Sequence, residues 1–93
     1  MKKEYLIGSA NYLEYGADCL NDKAKATILA DKEFNDGIHS DGVSEECINR
    51  LAKKFDCWND ADDYSAFVQN LVIIAHNETG KNWWSDNEGL SII

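Results

Sequence analysis

The sequence predicts a mainly helical α+β fold, with three to four short helices and a C-terminal β-hairpin in one compact domain over residues 1–93. Three observations support this prediction. Proline is absent, which favours helices and short turns. Apolar residues recur at helical spacing through most of the chain. After residue 82, two adjacent tryptophans, a polar Gly-containing segment and a short apolar run are typical of a hairpin.

The N-terminal third has more than one interpretation. Residues 2–8 are a possible short strand that would join the hairpin. Further on, the apolar spacing predicts either one long helix to Phe34 or two helices broken near Asn21, with Ser9 as the N-cap. The break is preferred because Asn21 and Asp22 favour caps and turns. The apolar residues at steps of three and four are Leu6, Ala10, Leu13, Ala17, Leu20, Ala24 and Ile28.

The middle of the chain predicts a loop followed by two amphipathic helices. Residues 35–44 contain two Asp-Gly pairs and are predicted to be the loop. Ser44 is the expected N-cap of the first helix, and either Asp60 or Asp62 that of the second, which should end at Gly80. The buried stripes expected are Ile48, Leu51, Ala52 and Phe55 in the first helix, then Tyr64, Phe67, Val68, Leu71, Val72 and Ala75.

The two tryptophans of the hairpin cannot both enter the same core. Trp83 and Trp84 are adjacent, and neighbouring residues of a strand point to opposite faces. We therefore expect one of them to be buried and the other to be partly exposed beside Asp86 and Glu88. An exposed tryptophan near carboxylates is typical of a protein-binding hot spot.

Negative charge is concentrated in the C-terminal part. Residues 1–55 carry ten acidic and eight basic side chains, whereas residues 56–93 carry seven acidic side chains and only Lys81 as a basic one. This distribution disfavours nucleic acid or an anionic membrane as the direct ligand, because both are bound by Lys and Arg. It suits a basic protein partner, although acidity also keeps a small protein soluble.

Metal and catalytic motifs fail on spacing. An EF-hand beginning at Asp60 would need Gly and Glu where Ser65 and Leu71 stand, and one beginning at Asp56 would place Trp58 at a ligand position. The residues Cys47, Cys57, His39 and His76 lack the local pairing of a zinc site, and only one assembled by the fold remains open. No phosphate-binding loop or nucleophile motif occurs. We expect no metal, no cofactor and no enzymatic activity.

The segment Asp56–Tyr64, DCWNDADDY, holds four carboxylates without a basic residue. One carboxylate suffices to cap the following helix, so the others are surplus, and their mutual repulsion needs compensation. This surplus is the main sign of a binding surface. The predicted partner-binding residues are Asp56, Trp58, Asp60, Asp62, Asp63, Glu78, Trp83, Trp84, Asp86 and Glu88.

Two functions follow as expectations. The first is a cytoplasmic inhibitor that binds a basic nuclease, CRISPR effector or toxin, partly by mimicking phosphate charge. In length, acidity and lack of catalytic motifs the chain is similar to phage anti-CRISPR and anti-restriction proteins and to toxin-immunity proteins. The alternative is a non-inhibitory interaction module that docks through the Trp-bearing hairpin. Three unpaired cysteines and the absence of a signal-like segment favour the cytoplasm. Either a monomer or a homodimer is compatible with the Ala-rich residues 10–30.

Overall fold

The computed structural model describes residues 3–7 and 13–93, and it confirms the mainly helical α+β fold. The described residues form a 3₁₀ turn, four α-helices and one three-stranded antiparallel sheet. After the 3₁₀ turn Lys3–Tyr5, the elements in chain order are α1 (Asp22–Leu29), α2 (Lys32–Ile38), β1 (Val43–Ser44), α3 (Glu45–Lys54), α4 (Ala61–Thr79), β2 (Trp83–Asp86) and β3 (Gly89–Ile92).

The N-terminal predictions were only partly right where the structure describes them. Residues 3–7 do not form a strand that joins the hairpin; they form the 3₁₀ turn and one isolated bridge between Leu6 and Leu20. Residues 13–21 are not helical, so the helix predicted before Asn21 is absent there, but a helix does begin at the preferred break, with Asn21 as the cap of α1. Its side chain accepts a hydrogen bond from the Ala24 N–H and donates to the Glu4 carbonyl, so it fixes the turn. The expected cap Ser9 lies outside the described residues.

The predicted loop over residues 35–44 is only partly a loop. A second helix, α2, begins after Asp31 and continues through Ile38 instead of ending at Phe34. Its N-cap Asp31 accepts a hydrogen bond of 3.0 Å from the Phe34 N–H, while Phe34 and Ile38 are fully buried. Burial of these two side chains outweighs the low helix propensity of the Asp36–Gly37 pair.

The predicted caps of α3 and α4 are confirmed. The Ser44 hydroxyl accepts from the Cys47 N–H at the start of α3, and Asp60 accepts from the N–H groups of Asp62 and Asp63 at the start of α4. Gly80 ends α4 with a φ of +71°, the left-handed conformation that glycine adopts at little cost. The predicted stripe of α3 is buried, and that of α4 is buried except for the partly exposed Tyr64 and Val68.

The C-terminal hairpin is confirmed, and its third strand comes from the middle of the chain. Strand β3 lies at the centre and pairs with both β1 and β2, in the order β1-β3-β2. Within the hairpin Trp83 pairs with Ile92 and Asp86 pairs with Gly89. A β-carbon on Gly89 would lie 1.8 Å from the Val43 carbonyl oxygen, so only glycine permits this approach of β1 to β3.

The core lies between α4, the other helices and one face of the sheet. Its largest fully buried side chains include Phe34, Phe55 and Phe67. Asn70 of α4 is the buried polar side chain among the described residues, and its Oδ1 accepts a hydrogen bond of 2.9 Å from the Cys19 N–H. This bond anchors the irregular residues 13–21 to the central helix. Among the described residues, no helix has the length and apolar character needed to cross a bilayer.

Candidate partner-binding surface

The link between α3 and α4 is shaped by a left-handed aspartate. Asp56 has a φ of +58°, and the N–H groups of Asp56 and Cys57 donate to the carbonyls of Lys53 and Ala52. These two bonds form a Schellman motif, in which glycine is the usual residue at the left-handed position. The turn exposes Asp56 and brings the chain to Trp58. A charged residue is therefore kept where backbone geometry favours glycine.

Trp58 is held in a fixed orientation at the surface. Its ring meets Tyr64 edge-on with centroids 5.5 Å apart, and the Lys53 ammonium lies 4.6 Å from its centroid. The Tyr64 hydroxyl donates to the side-chain oxygen of Asn49. Even so, 43% of Trp58 remains exposed. Trp58 thus offers an ordered aromatic surface next to the carboxylates of α4.

Three of the predicted carboxylates gather at the start of α4. Asp60 is occupied as the cap, whereas Asp62 and Asp63 follow in the first turn, where the helix dipole stabilises their charge. Asp60 and Asp62 are exposed and Asp63 is half-buried. The free protein therefore tolerates all three charges. Together they make this end of the molecule negative.

A groove lies between the hairpin turn and the first turns of α3 and α4, and we call it the hairpin groove. Its volume is about 320 Å³. The Glu45 N–H donates to the Glu88 carbonyl over 3.1 Å, which holds the start of α3 against the hairpin turn. The groove is lined by Tyr15, Glu45, Ile48, Tyr64, Ser65, Val68, Ser85, Asp86, Asn87 and Gly89. Tyr64 therefore belongs both to this groove and to the support of Trp58.

In the described part of the chain, the ion pairs involve acids of the N-terminal half. Within residues 3–7 and 13–93, the acids that form them are Glu4, Asp18, Asp31, Glu33 and Asp36. The ten acids from Asp41 onward make no ion pair with another described residue. The acids predicted to bind a partner thus form no ion pair within the described part of the chain.

Two of the predicted residues do not join this surface. Trp83 is only 4% exposed and donates its indole N–H to Thr79, so a partner cannot reach it. Glu78 is exposed near the C-terminal end of α4, about four helical turns from Asp63. Strand alternation places Trp84 on the face opposite Trp83 and on the same face as Asp86. As expected, one tryptophan is buried, and the other is 48% exposed.

Sequence reasoning missed part of the groove. In the sequence Glu45 is an acid that directly follows the expected cap Ser44, and Tyr15 lies in a segment predicted to be helical. Neither residue is close in sequence to the hairpin turn, and the register that pairs Ser44 with Gly89 brings Glu45 there. The sequence signal for Glu45 is its place directly after the Ser44 cap, where the helix dipole favours an acid, and it does not point to a groove.

The three cysteine thiols are buried, and two of them have a raised pKa. Burial raises the pKa of Cys47 and that of Cys57 to about 12, so both are protonated near neutral pH. All three cysteines are free. In the described residues, no three His, Cys, Asp or Glu side chains converge in an arrangement able to hold a metal ion.

No protein-family model, curated protein or solved structure matches this chain. Around the start of α4 and the hairpin turn, the protein combines exposed carboxylates that form no ion pair with a described residue, an ordered tryptophan and the hairpin groove.

Proposed function

We propose that the protein is a non-enzymatic cytoplasmic inhibitor that binds a basic nucleic-acid-handling protein and covers its nucleic-acid site or active site. Its target would be a nuclease, a CRISPR effector or a toxin. The observation that carries this proposal is the lack of ion pairs, among described residues, for the ten acids from Asp41 onward. Lys and Arg that recognise phosphates attract carboxylates at long range as well, so such a surface competes with nucleic acid for a basic groove.

The aromatic side chains complement this charge. Carboxylates in water contribute more to association rate and orientation than to affinity, because solvent and salt screen them. Affinity needs an anchor that loses its water when the partner binds. Trp58 meets that requirement because its ring is ordered and 43% exposed in the free protein. The acids at the start of α4 would guide a basic protein toward Trp58.

Affinity capture tests the proposal, with lysate from the organism that makes the protein or from a strain that it acts against. The tagged protein is immobilised, lysate is passed over it, and the resin is washed. Bound proteins are then eluted in salt steps and identified by mass spectrometry in each fraction. We expect a basic nuclease, CRISPR effector subunit or toxin to elute at moderate salt, and the purified protein to inhibit it. A neutral partner that resists salt would contradict the proposal.

A charge variant locates the contact on that partner. The triple change Asp60→Asn, Asp62→Asn and Asp63→Asn removes three charges, and asparagine retains the capping oxygen at position 60. We expect binding to weaken by about tenfold or more, equivalent to ~1.4 kcal/mol, with cooperative unfolding retained. The matched control is Glu14→Gln, Asp22→Asn and Asp41→Asn, three exposed acids elsewhere. Equal binding by both variants would contradict the placement of the contact.

The exposed part of the hairpin supports the second candidate function, a non-inhibitory interaction module. Trp84 is 48% exposed, and Ile92 and Ile93 are exposed as well. An apolar partner would bury these side chains with little salt dependence. Under this alternative, Trp84→Ser abolishes partner binding and the aspartate triple variant leaves it unchanged.

A further inference from the structure

We propose that the hairpin groove receives an arginine side chain of the basic partner, held between aromatic walls and two carboxylates. This inference rests on the proposed function and specifies which chemical group of the partner the groove recognises. A volume of about 320 Å³ lies at the lower end of the ~300–1,000 Å³ range of ligand pockets. It therefore suits one long side chain better than a folded segment.

The charge of the groove is negative. Glu45 stands in the first turn of α3 and lines the groove. One carboxylate oxygen of Asp86 accepts a hydrogen bond of 2.7 Å from the Glu88 N–H, which orients this side chain. The residues that line the groove include no basic side chain. A cation from outside is therefore the complementary occupant.

The walls offer the flat surfaces that a guanidinium prefers. Tyr15 and Tyr64 both line the groove, and Tyr64 is held by its edge-on contact with Trp58 and by its hydrogen bond to Asn49. Burial, followed by the charge of Glu45, raises the pKa of the Tyr64 phenol, so its ring stays neutral. Neutral aromatic faces attract cations and stack against guanidinium planes.

The apolar residues that line the groove favour a long side chain over a small ion. Ile48 and Val68 line the groove as well; Ile48 is only 2% exposed, so the partly exposed Val68 provides most of the apolar surface for the methylene stem of the entering residue. Arginine is favoured over lysine because its planar fork can donate to a carboxylate through two N–H groups while it stacks on a ring. A small metal ion would gain nothing from the aromatic walls or from the apolar floor.

Titration with short peptides tests this inference without the natural partner. The probes are a capped peptide of alternating arginine and glycine and its lysine counterpart of equal length and charge. Binding is monitored at low salt through the backbone amide NMR signals of the protein. We expect shifts at Glu45, Tyr64, Ser85 and Asp86, with arginine binding about threefold or more tighter than lysine. Shifts spread evenly over all exposed acids, or equal affinity for both peptides, would overturn the inference.

Two matched double variants separate the groove from general acidity. Glu45→Gln with Asp86→Asn removes the groove charges, whereas Asp41→Asn with Glu46→Gln removes two exposed charges that do not line the groove. We expect the groove pair to weaken arginine-peptide binding by about tenfold and the control pair by less than about twofold. Equal weakening would overturn the inference, and unfolding curves establish that both variants fold.

The same two variants, assayed on the captured partner, separate this inference from the proposed function. If a basic nucleic-acid-handling partner binds the wild type in a salt-dependent manner and both variants bind equally, the groove inference fails and the inhibitor proposal stands. If the captured partner is neutral and resists salt, the inhibitor proposal itself fails. Selective loss with the groove variant supports both.

Discussion

The side-chain oxygen of Asn70 accepts a hydrogen bond from the backbone N–H of Cys19 across 51 positions of the chain. Its amide nitrogen donates to the Ala66 carbonyl one turn earlier in α4, so both ends of the buried side chain are satisfied. The segment of residues 13–21 has little regular structure, and this bond positions it on the central helix. Tyr15, which lines the hairpin groove, belongs to that segment.

Asn70→Ala should therefore lower the free energy of unfolding by about 1–3 kcal/mol, because the buried Cys19 N–H loses its acceptor. Urea denaturation followed by tryptophan fluorescence measures this loss. The matched control is Asn77→Ala, at an exposed position of the same helix, with an expected change within about 0.5 kcal/mol. Similar losses in the two variants would show that the buried bond contributes nothing specific.

Glycine at position 89 should be indispensable, in contrast to glycine at position 80. Both residues have positive φ, but a β-carbon at Gly89 meets the Val43 carbonyl at 1.8 Å, whereas one at Gly80 meets nothing within 4 Å. We expect Gly80→Ala to cost about 1 kcal/mol for the left-handed backbone alone. Gly89→Ala should cost about 4 kcal/mol or more, or prevent folding, because β1 and β3 must separate. Comparable melting temperatures for the two variants would contradict the close approach.

Stability should fall in acid because protonation of Asp31 removes its ion pair with Arg50. The guanidinium donates to both carboxylate oxygens at 2.7 and 2.9 Å, and this pairing lowers the pKa of Asp31 below its usual value of 3.8. Because the folded pKa is below the unfolded one, the stabilisation is complete above the unfolded pKa and is lost as pH falls through the folded pKa. Asparagine at position 31 can still cap α2 but cannot pair with Arg50.

Asp31→Asn should therefore cost about 0.5–1.5 kcal/mol at pH 7, in the range of a partly exposed bidentate pair. The difference between wild type and variant should shrink below pH 4 and vanish once Asp31 is protonated in the folded state. Urea midpoints measured from pH 7 to pH 2 follow this difference. A difference that stays constant with pH would mean that the ion pair does not contribute.

Asp56→Gly should stabilise the fold, which is uncommon for a substitution. The left-handed φ of +58° costs a residue with a β-carbon about 1 kcal/mol that glycine avoids. We expect a gain of about 0.5–1 kcal/mol, and Asp56→Ala removes the charge without that gain. If Asp56 contacts the partner, both variants should weaken binding alike while their stabilities differ. No gain from glycine would contradict the role of backbone strain.

Local signals in the sequence were sufficient for the caps, for α3 and α4, and for the hairpin. Ser44, Asp60 and Gly80 act within a single turn, so their neighbours in sequence decide their role. The clean spacing of apolar residues in α4 and the alternation of Trp83 and Trp84 likewise depend on local geometry. These predictions needed no knowledge of the tertiary structure.

The errors arose where tertiary contacts decide the conformation. Leu13 and Leu20 have helical spacing and are both buried, but non-helical backbone between them is stabilised from a distance by Asn70. Strand β1 is only two residues long and exists because β3 pairs with it. The hairpin groove follows from that same pairing, so the approach of Glu45 to Asp86 had no signal in either local sequence.

The order of strands also bears on how the chain is synthesised. Strand β3 is the central strand, yet it follows the other two in sequence, so neither β1 nor β2 has a partner until it emerges from the ribosome. The nascent chain up to Asn87 carries α1 to α4, but Val43 still lacks its strand partner Leu90 and Trp83 lacks its partner Ile92. The hairpin groove is completed in the same event. The sheet is thus completed only after the helices have been made, and a nascent chain that ends before Gly89 would lack the central strand.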